Sequence, residues 1–271
     1  MERMSRQPLK IGILNLMHDK EDTQKRFSRV LRDTGENLEI TYFYPVNHYK
    51  NREVPELVAK ISQPLDLKLV HQMDAFIITG APLEKLPFSD ITYLDELQGL
   101  MDTLEKQNIS QLYVCWGGMV ALNYFYGIHK EMLDTKLFGI YPQKITNQSN
   151  LLKGLTNGFL APHARYAEMN KDDILSSKDL IINAYSSTGH LFLVSAKNKP
   201  QHFLFSHLEY GPNAFIKEYH RELNARGGDA VGLAKPTGYF KDDNNMSQPQ
   251  FTWENTQKKF FKNWITTITN H

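Results

Sequence analysis

An apolar, strand-like stretch runs straight into a cysteine and then two glycines in Leu112-Tyr113-Val114-Cys115-Trp116-Gly117-Gly118. That order is the pattern of a nucleophile elbow: the reactive side chain sits on a tight strand-to-helix turn, and small neighbours relieve the crowding there. A helix that starts directly behind such a thiol favours the thiolate and offers backbone N–H groups to an oxyanion. Standing alone, a cysteine is more often a small buried hydrophobe. The elbow setting would expose it at the carboxyl edge of a sheet, which points to a nucleophile.

A cysteine nucleophile needs a base, and the base needs a group to orient it. The chain has ten histidines, so the presence of one near any site says little. His207 stands out because it closes the apolar run His202-Phe203-Leu204-Phe205-Ser206-His207 and is followed two residues later by Glu209. An extended chain would put both side chains on one side, where the carboxylate could hold the imidazole in its useful tautomer. The same His-x-Glu pair can be an inconsequential surface feature. A metal site finds little support, because no further His, Cys or acid stands at ligand spacing.

These residues need elements to carry them. Residues 10 to 17 and Asp74 to Gly80 read as buried strands, Leu38 to Tyr44 as a strand from its aromatic and β-branched content, and Gln111 to Cys115 as the next strand. Between them, residues 20 to 34 and Thr92 to Asn108 show helical spacing, and Gly117 to Tyr126 follows the last strand as a helix. Strand and helix alternate, which predicts an α/β fold with a mostly parallel sheet and helices on both faces. From about residue 136 the connections shorten, and residues 136–145, 179–187, 190–197 and 202–207 predict an added antiparallel region. Asn213 to Ala225 reads as an amphipathic helix, residues 227–252 as a long surface loop and candidate lid, and Trp253 to Ile268 as a closing helix. With no internal repeat or linker, residues 1–271 are expected to form a single domain.

The formal net charge of +1 gives no global field for nucleic acid or a membrane surface, so a small molecule is the expected partner. The single cysteine can form no intramolecular disulfide, and no apolar leader follows the N-terminus. Both features lead to the expectation of a cytoplasmic protein.

The order Cys115, His207, Glu209, together with KIGILNLM, TGAPLEKLPF, VCWGGMVALNYFYGI, KLFGIY, FLAPHARYAE and HLEY, resembles the homoserine O-acyltransferases of the class I glutamine amidotransferase-like superfamily. The similarity covers nearly the full length. It implies a flavodoxin-like fold, a homodimer, and ping-pong acyl transfer from acyl-CoA through a thioester on Cys115, with acyl-CoA as co-substrate and no bound cofactor. By the same resemblance His207 is the general base and Glu209 its orienter. Lys136 and Arg221 match substrate-binding positions, Arg221 for the acceptor carboxylate. The Trp116 N–H and the loop after Gly80 are expected to form the oxyanion hole.

Glu84 occupies the position that separates acetyl- from succinyl-transferring members, the latter having glycine there. Its bulk and charge would exclude a succinyl tail, so acetyl-CoA is the expected donor. Ala164 stands where the family usually has serine, a position tied to acceptor choice. Leu208 and His18 stand where prolines are usual. These departures shift the expected acceptor from L-homoserine to L-serine, one methylene shorter. The competing readings are a glutaminase-like cysteine hydrolase and a non-catalytic binding protein on the same scaffold.

Overall fold

The computed structural model describes residues 7–269. In the first half, strands and helices alternate: β1 (Leu9–Leu14), α1 (Lys20–Arg32), β2 (Leu38–Tyr44), α2 (Glu56–Ile61), β3 (Gln63–Pro64), α3 (Leu67–Val70), β4 (Ala75–Ile78), α4 (Leu94–Lys106), β5 (Ser110–Val114) and α5 (Trp116–Tyr126). The logic of α1 is typical. Asp19 caps it by accepting from the Asp22 N–H, acids occupy its first turn and arginines its last, and Phe27, Val30 and Leu31 are buried. Every residue of β4 is buried. A strand buried on both faces belongs inside a sheet covered on both sides.

The second half comprises β6 (Lys130–Ile145), β7 (Leu160–Met169), α6 (Lys171–Ser176), β8 (Leu180–Ser186), β9 (Leu191–Ala196), β10 (Gln201–Leu204), α7 (Ala214–Ala225), β11 (Phe240–Asp242), β12 (Ser247–Pro249) and α8 (Glu254–Thr269). One ten-stranded sheet joins the halves in the order β3-β2-β1-β4-β5-β10-β9-β8-β6-β7. Strands β3 through β10 in that order are parallel, and β9, β8, β6 and β7 continue antiparallel. The parallel pair β5 and β10 positions two of the residues singled out from the sequence. Val114 is in register with Leu204, so Cys115 and the chain leading to His207 leave the sheet side by side at its carboxyl edge.

Three local expectations need correction. The run 202–207 is strand only to Leu204, and His207 and Glu209 lie in the turn beyond it. It also pairs in parallel with β5 as well as antiparallel with β9. Residues 160–169 form a strand that the pattern did not announce, because Pro162, His163, Arg165 and Glu168 break the apolar alternation. Residues 227–252 are not simply a surface loop. Leu233, Tyr239 and Phe240 are buried, β11 and β12 pair as a hairpin, and Thr237 exchanges hydrogen bonds with Phe138 and Ile140 of β6.

Candidate active site

Cys115 sits between β5 and α5 with φ 49° and ψ −113°, outside the regions ordinary residues favour. Its N–H donates to the Leu204 carbonyl at 2.7 Å, tying the elbow to β10. Gly117 explains the tight turn. A Cβ there would lie 2.7 Å from the Ile78 carbonyl oxygen and 2.8 Å from that of Thr79, so α5 can start only with glycine against the end of β4. Trp116 opens α5, and its N–H is among those a helix start leaves without an intrahelical partner.

The expectation of an exposed thiol is corrected: Cys115 is only 2% accessible. Phe88, from the loop after β4, packs edge-on to Trp116 at 6.2 Å, and Lys130 fastens that loop by donating to the carbonyls of Glu84 and Leu86. Gly80 lies against both reactive groups. A Cβ on it would be 3.4 Å from the Cys115 Cβ and 3.5 Å from the His207 Cε1.

His207 reaches this point from a turn pinned at several places. Its N–H and the Ser206 hydroxyl both donate to the Pro162 carbonyl, and the Tyr210 N–H closes the turn on the His207 carbonyl. Trp253 and Gln257 hold the Tyr210 carbonyl from the other side. The His207 Nδ1 is 2.8 Å from Glu209 Oε1, which makes Nδ1–H the donor and leaves Nε2 for the thiol. Burial works against its charged form. The Glu209 carboxylate and the hydrogen-bonded Cys115 outweigh it, and the ring is held well above the usual histidine pKa. The imidazole also stacks on Tyr210 at 4.6 Å.

Tyr210 links this line to a second cluster. Its hydroxyl donates to Glu218 Oε2 at 2.8 Å, while the buried Lys136 bridges Glu218 and Glu222, and Tyr166 donates to Glu222. Burial opposes ionisation of Glu218, but Lys136, His207 and Tyr210 bring its carboxyl below the usual range. Glu84 lies within the same field, sensing His207, Glu218 and Lys136, and burial holds its carboxyl above the usual value. Arg221, on α7, is exposed and makes no side-chain hydrogen bond among the described residues. Its charge, after burial, is the largest influence lowering the pKa of His18. Ala164 is buried on β7 opposite Phe138, between Pro162 and Tyr166.

Cys115, Trp116, His207 and Glu209 therefore meet at the carboxyl edge of the parallel strands. Lys136 connects to them through Glu218 and Tyr210, Ala164 stands two residues from Pro162, and Arg221 reaches His18 only through its charge. Tyr210, Glu218 and Glu222 join this group without having been singled out for a role. Only the i, i+4 spacing of Glu218 and Glu222 on a predicted helix hinted at them. Among the described residues no cluster of three or more His, Cys, Asp or Glu could hold a metal ion. No described helix is long and apolar enough to cross a membrane.

The architecture is that of the glutamine amidotransferase-like α/β proteins. A glutamine amidotransferase from Thermotoga maritima superposes with a TM-score of 0.62 over 98% of each chain at 11% identity. The chain belongs to the homoserine O-succinyltransferase family, which matches residues 2–271. A serine O-acetyltransferase from Lactobacillus acidophilus is 50% identical over 95% of this chain and 94% of its own length. A homoserine O-acetyltransferase from Thermotoga neapolitana is 34% identical over 95% of this chain and 84% of its own. The protein is an O-acyltransferase of the homoserine and serine type.

Proposed function

We propose that this enzyme transfers an acetyl group from acetyl-CoA to the hydroxyl of L-serine through a thioester on Cys115. The observation that carries the reading is the buried line Cys115–His207–Glu209, with Nε2 of His207 left for the thiol. In the first half-reaction His207 holds the thiol proton as an imidazolium, and the Cys115 thiolate attacks the acetyl-CoA carbonyl. The N–H groups of Trp116 and Gly80 receive the oxyanion, and the CoA thiol leaves with the proton from His207. In the second half-reaction His207 deprotonates the serine hydroxyl, which attacks the acetyl-thioester. O-acetylserine departs and Cys115 is regenerated.

The acceptor side suits a zwitterion. Arg221 is free to take the carboxylate, while Lys136, Glu218 and Glu222 together carry one net negative charge for the ammonium. Ala164 in place of the usual serine removes one hydrogen-bonding group from this side, and a one-methylene difference is worth only about 1–3 kcal/mol. The 50% identical relative named as a serine O-acetyltransferase supports L-serine over L-homoserine. Glu84 supports acetyl as the acyl group, since its bulk occupies the position whatever its charge.

The test is CoA-thiol release from acetyl-CoA with L-serine and L-homoserine in parallel, plus mass measurement of the protein after acetyl-CoA alone. Expected are preference for serine and a gain of one acetyl group that Cys115→Ala abolishes. Preference for homoserine would reverse the acceptor assignment, and full turnover by Cys115→Ala would end the thioester mechanism.

A further inference from the structure

A cleft of about 640 Å³ opens on the β1 side of Cys115, between the loops that follow β1, β2 and β4. Lys136 and Ala164 lie on the other side, on β6 and β7. The volume falls within the ~300–1,000 Å³ of small-molecule sites. Apolar walls from Leu16, Pro82, Leu83, Leu86 and Tyr93 combine with the cations Lys20 and Arg52, against one acid, Asp90.

Lys20 is the informative residue. It is only 8% accessible, and its ammonium donates to the Asn15 carbonyl at 2.5 Å. No carboxylate forms a salt bridge with it among the described residues. Burial, and then the like charge of Arg52, bring its pKa down to about 8. Arg52 also lacks an acid partner among the described residues; it contacts the His48 ring nitrogen and lies over the Tyr49 ring at 5.0 Å. A buried ammonium beside a second cation is unfavourable until an anion joins them.

One wall of the cleft, the loop after β4, continues the chain from the residues beside Cys115. Pro82 and Leu83 come two and three residues after Gly80, which packs on Cys115 and His207. The Leu16 N–H is tied to Thr79 Oγ1 at 2.8 Å. The same loop carries Glu84, the residue expected to select the acyl group. A donor lying in this cleft would present its acyl end to Glu84 and its thioester to Cys115.

We propose that this cleft binds the phosphate-bearing nucleotide end of the acyl-CoA. Lys20 and Arg52 bind its phosphate oxygens, and the apolar walls enclose the arm that leads to the thioester. The assignment rests on the acyl-CoA reading of the site. It is tested by calorimetric titration of CoA into the wild type, Arg52→Gln and Lys20→Gln. Alongside, kcat/KM is compared for acetyl-CoA and for S-acetyl-N-acetylcysteamine, a thioester without phosphates.

Each substitution is expected to weaken CoA binding about tenfold and to lower the acetyl-CoA to truncated-donor ratio similarly. Arg52 is exposed, so its replacement leaves the fold intact even if Lys20→Gln does not. Unchanged CoA affinity and an unchanged ratio in Arg52→Gln would overturn the assignment, as would absence of CoA binding by the wild type. Transfer from neither thioester, with CoA binding still weakened by Arg52→Gln, would end the acyltransfer mechanism but keep the phosphate site.

Discussion

Cys115 holds a backbone conformation that costs on the order of 1–3 kcal/mol and persists only where the surroundings enforce it. Here the enforcement is visible: β10 takes its N–H, Gly80 packs on its Cβ, and α5 begins at the next residue. The neighbouring Glu84 offers the sharpest single-residue test. Glu84→Gly removes both bulk and a carboxyl group from beside His207 and Lys136. The ratio of succinyl-CoA to acetyl-CoA use is expected to rise by about tenfold or more, read as kcat/KM for each donor. An unchanged ratio would take Glu84 out of donor selection. At this scale the sequence was informative where the residue order is unusual, as in Cys-Trp-Gly-Gly and His-x-Glu, and the structure brings those two segments together. It was silent about Tyr210, because a tyrosine after an acid has many ordinary uses.

At the scale of elements, the parallel pairing of β5 with β10 does the assembling. It brings residues 115 and 207 together although 92 positions separate them in the chain. The approach of α5 to the end of β4 is the narrowest point of that assembly. Gly117→Val would drive a side chain into two carbonyl oxygens, and the overpacking is expected to cost about 1–3 kcal/mol of stability. A urea midpoint equal to the wild type's would show that α5 can shift freely.

β1 and β4 were legible as apolar runs because a buried parallel strand leaves no polar face to disguise it, and β2 was legible from its aromatic and β-branched residues. β7 was not legible, since its His163, Arg165 and Glu168 are buried as a hydrogen-bonded group rather than exposed. The triad also closes by a turn, not by the extended chain that a His-x-Glu spacing suggests. Residues 227–252 misled for a related reason: their Gly, Asp and Asn content hid the few apolar residues that anchor them to β6.

For the molecule as a whole, the buried polar group on β7 ties the antiparallel half to the parallel half. Arg165 donates to His163, Glu168 and the carbonyls of Phe205 and Leu191, so it spans β7, β9 and the chain just before His207. Burial, then the Arg165 charge, holds His163 neutral with a pKa well below 6.5. Below pH 6.5 the unfolded chain takes up a proton that folded His163 refuses, so stability falls by up to about 1.4 kcal/mol per pH unit. His202, lowered by burial to about 4, acts in the same direction. His207 acts at the other end: its contribution is complete below 6.5 and is lost as pH rises through its raised folded value. The urea midpoint is therefore expected to be highest near neutrality and to fall on acidification to about pH 5. A flat midpoint over that interval would mean that His163 is already charged in the fold.

The one cysteine of the chain is buried. Any thiol-directed label that attaches to this protein must have reached this buried position, so its labelling rate is a clock for how often the surrounding structure opens. Oxidation has the same singular address. A sulfenic acid formed there has no second thiol in the chain to resolve it, so recovery depends on a small external reductant able to travel the same route as the substrate.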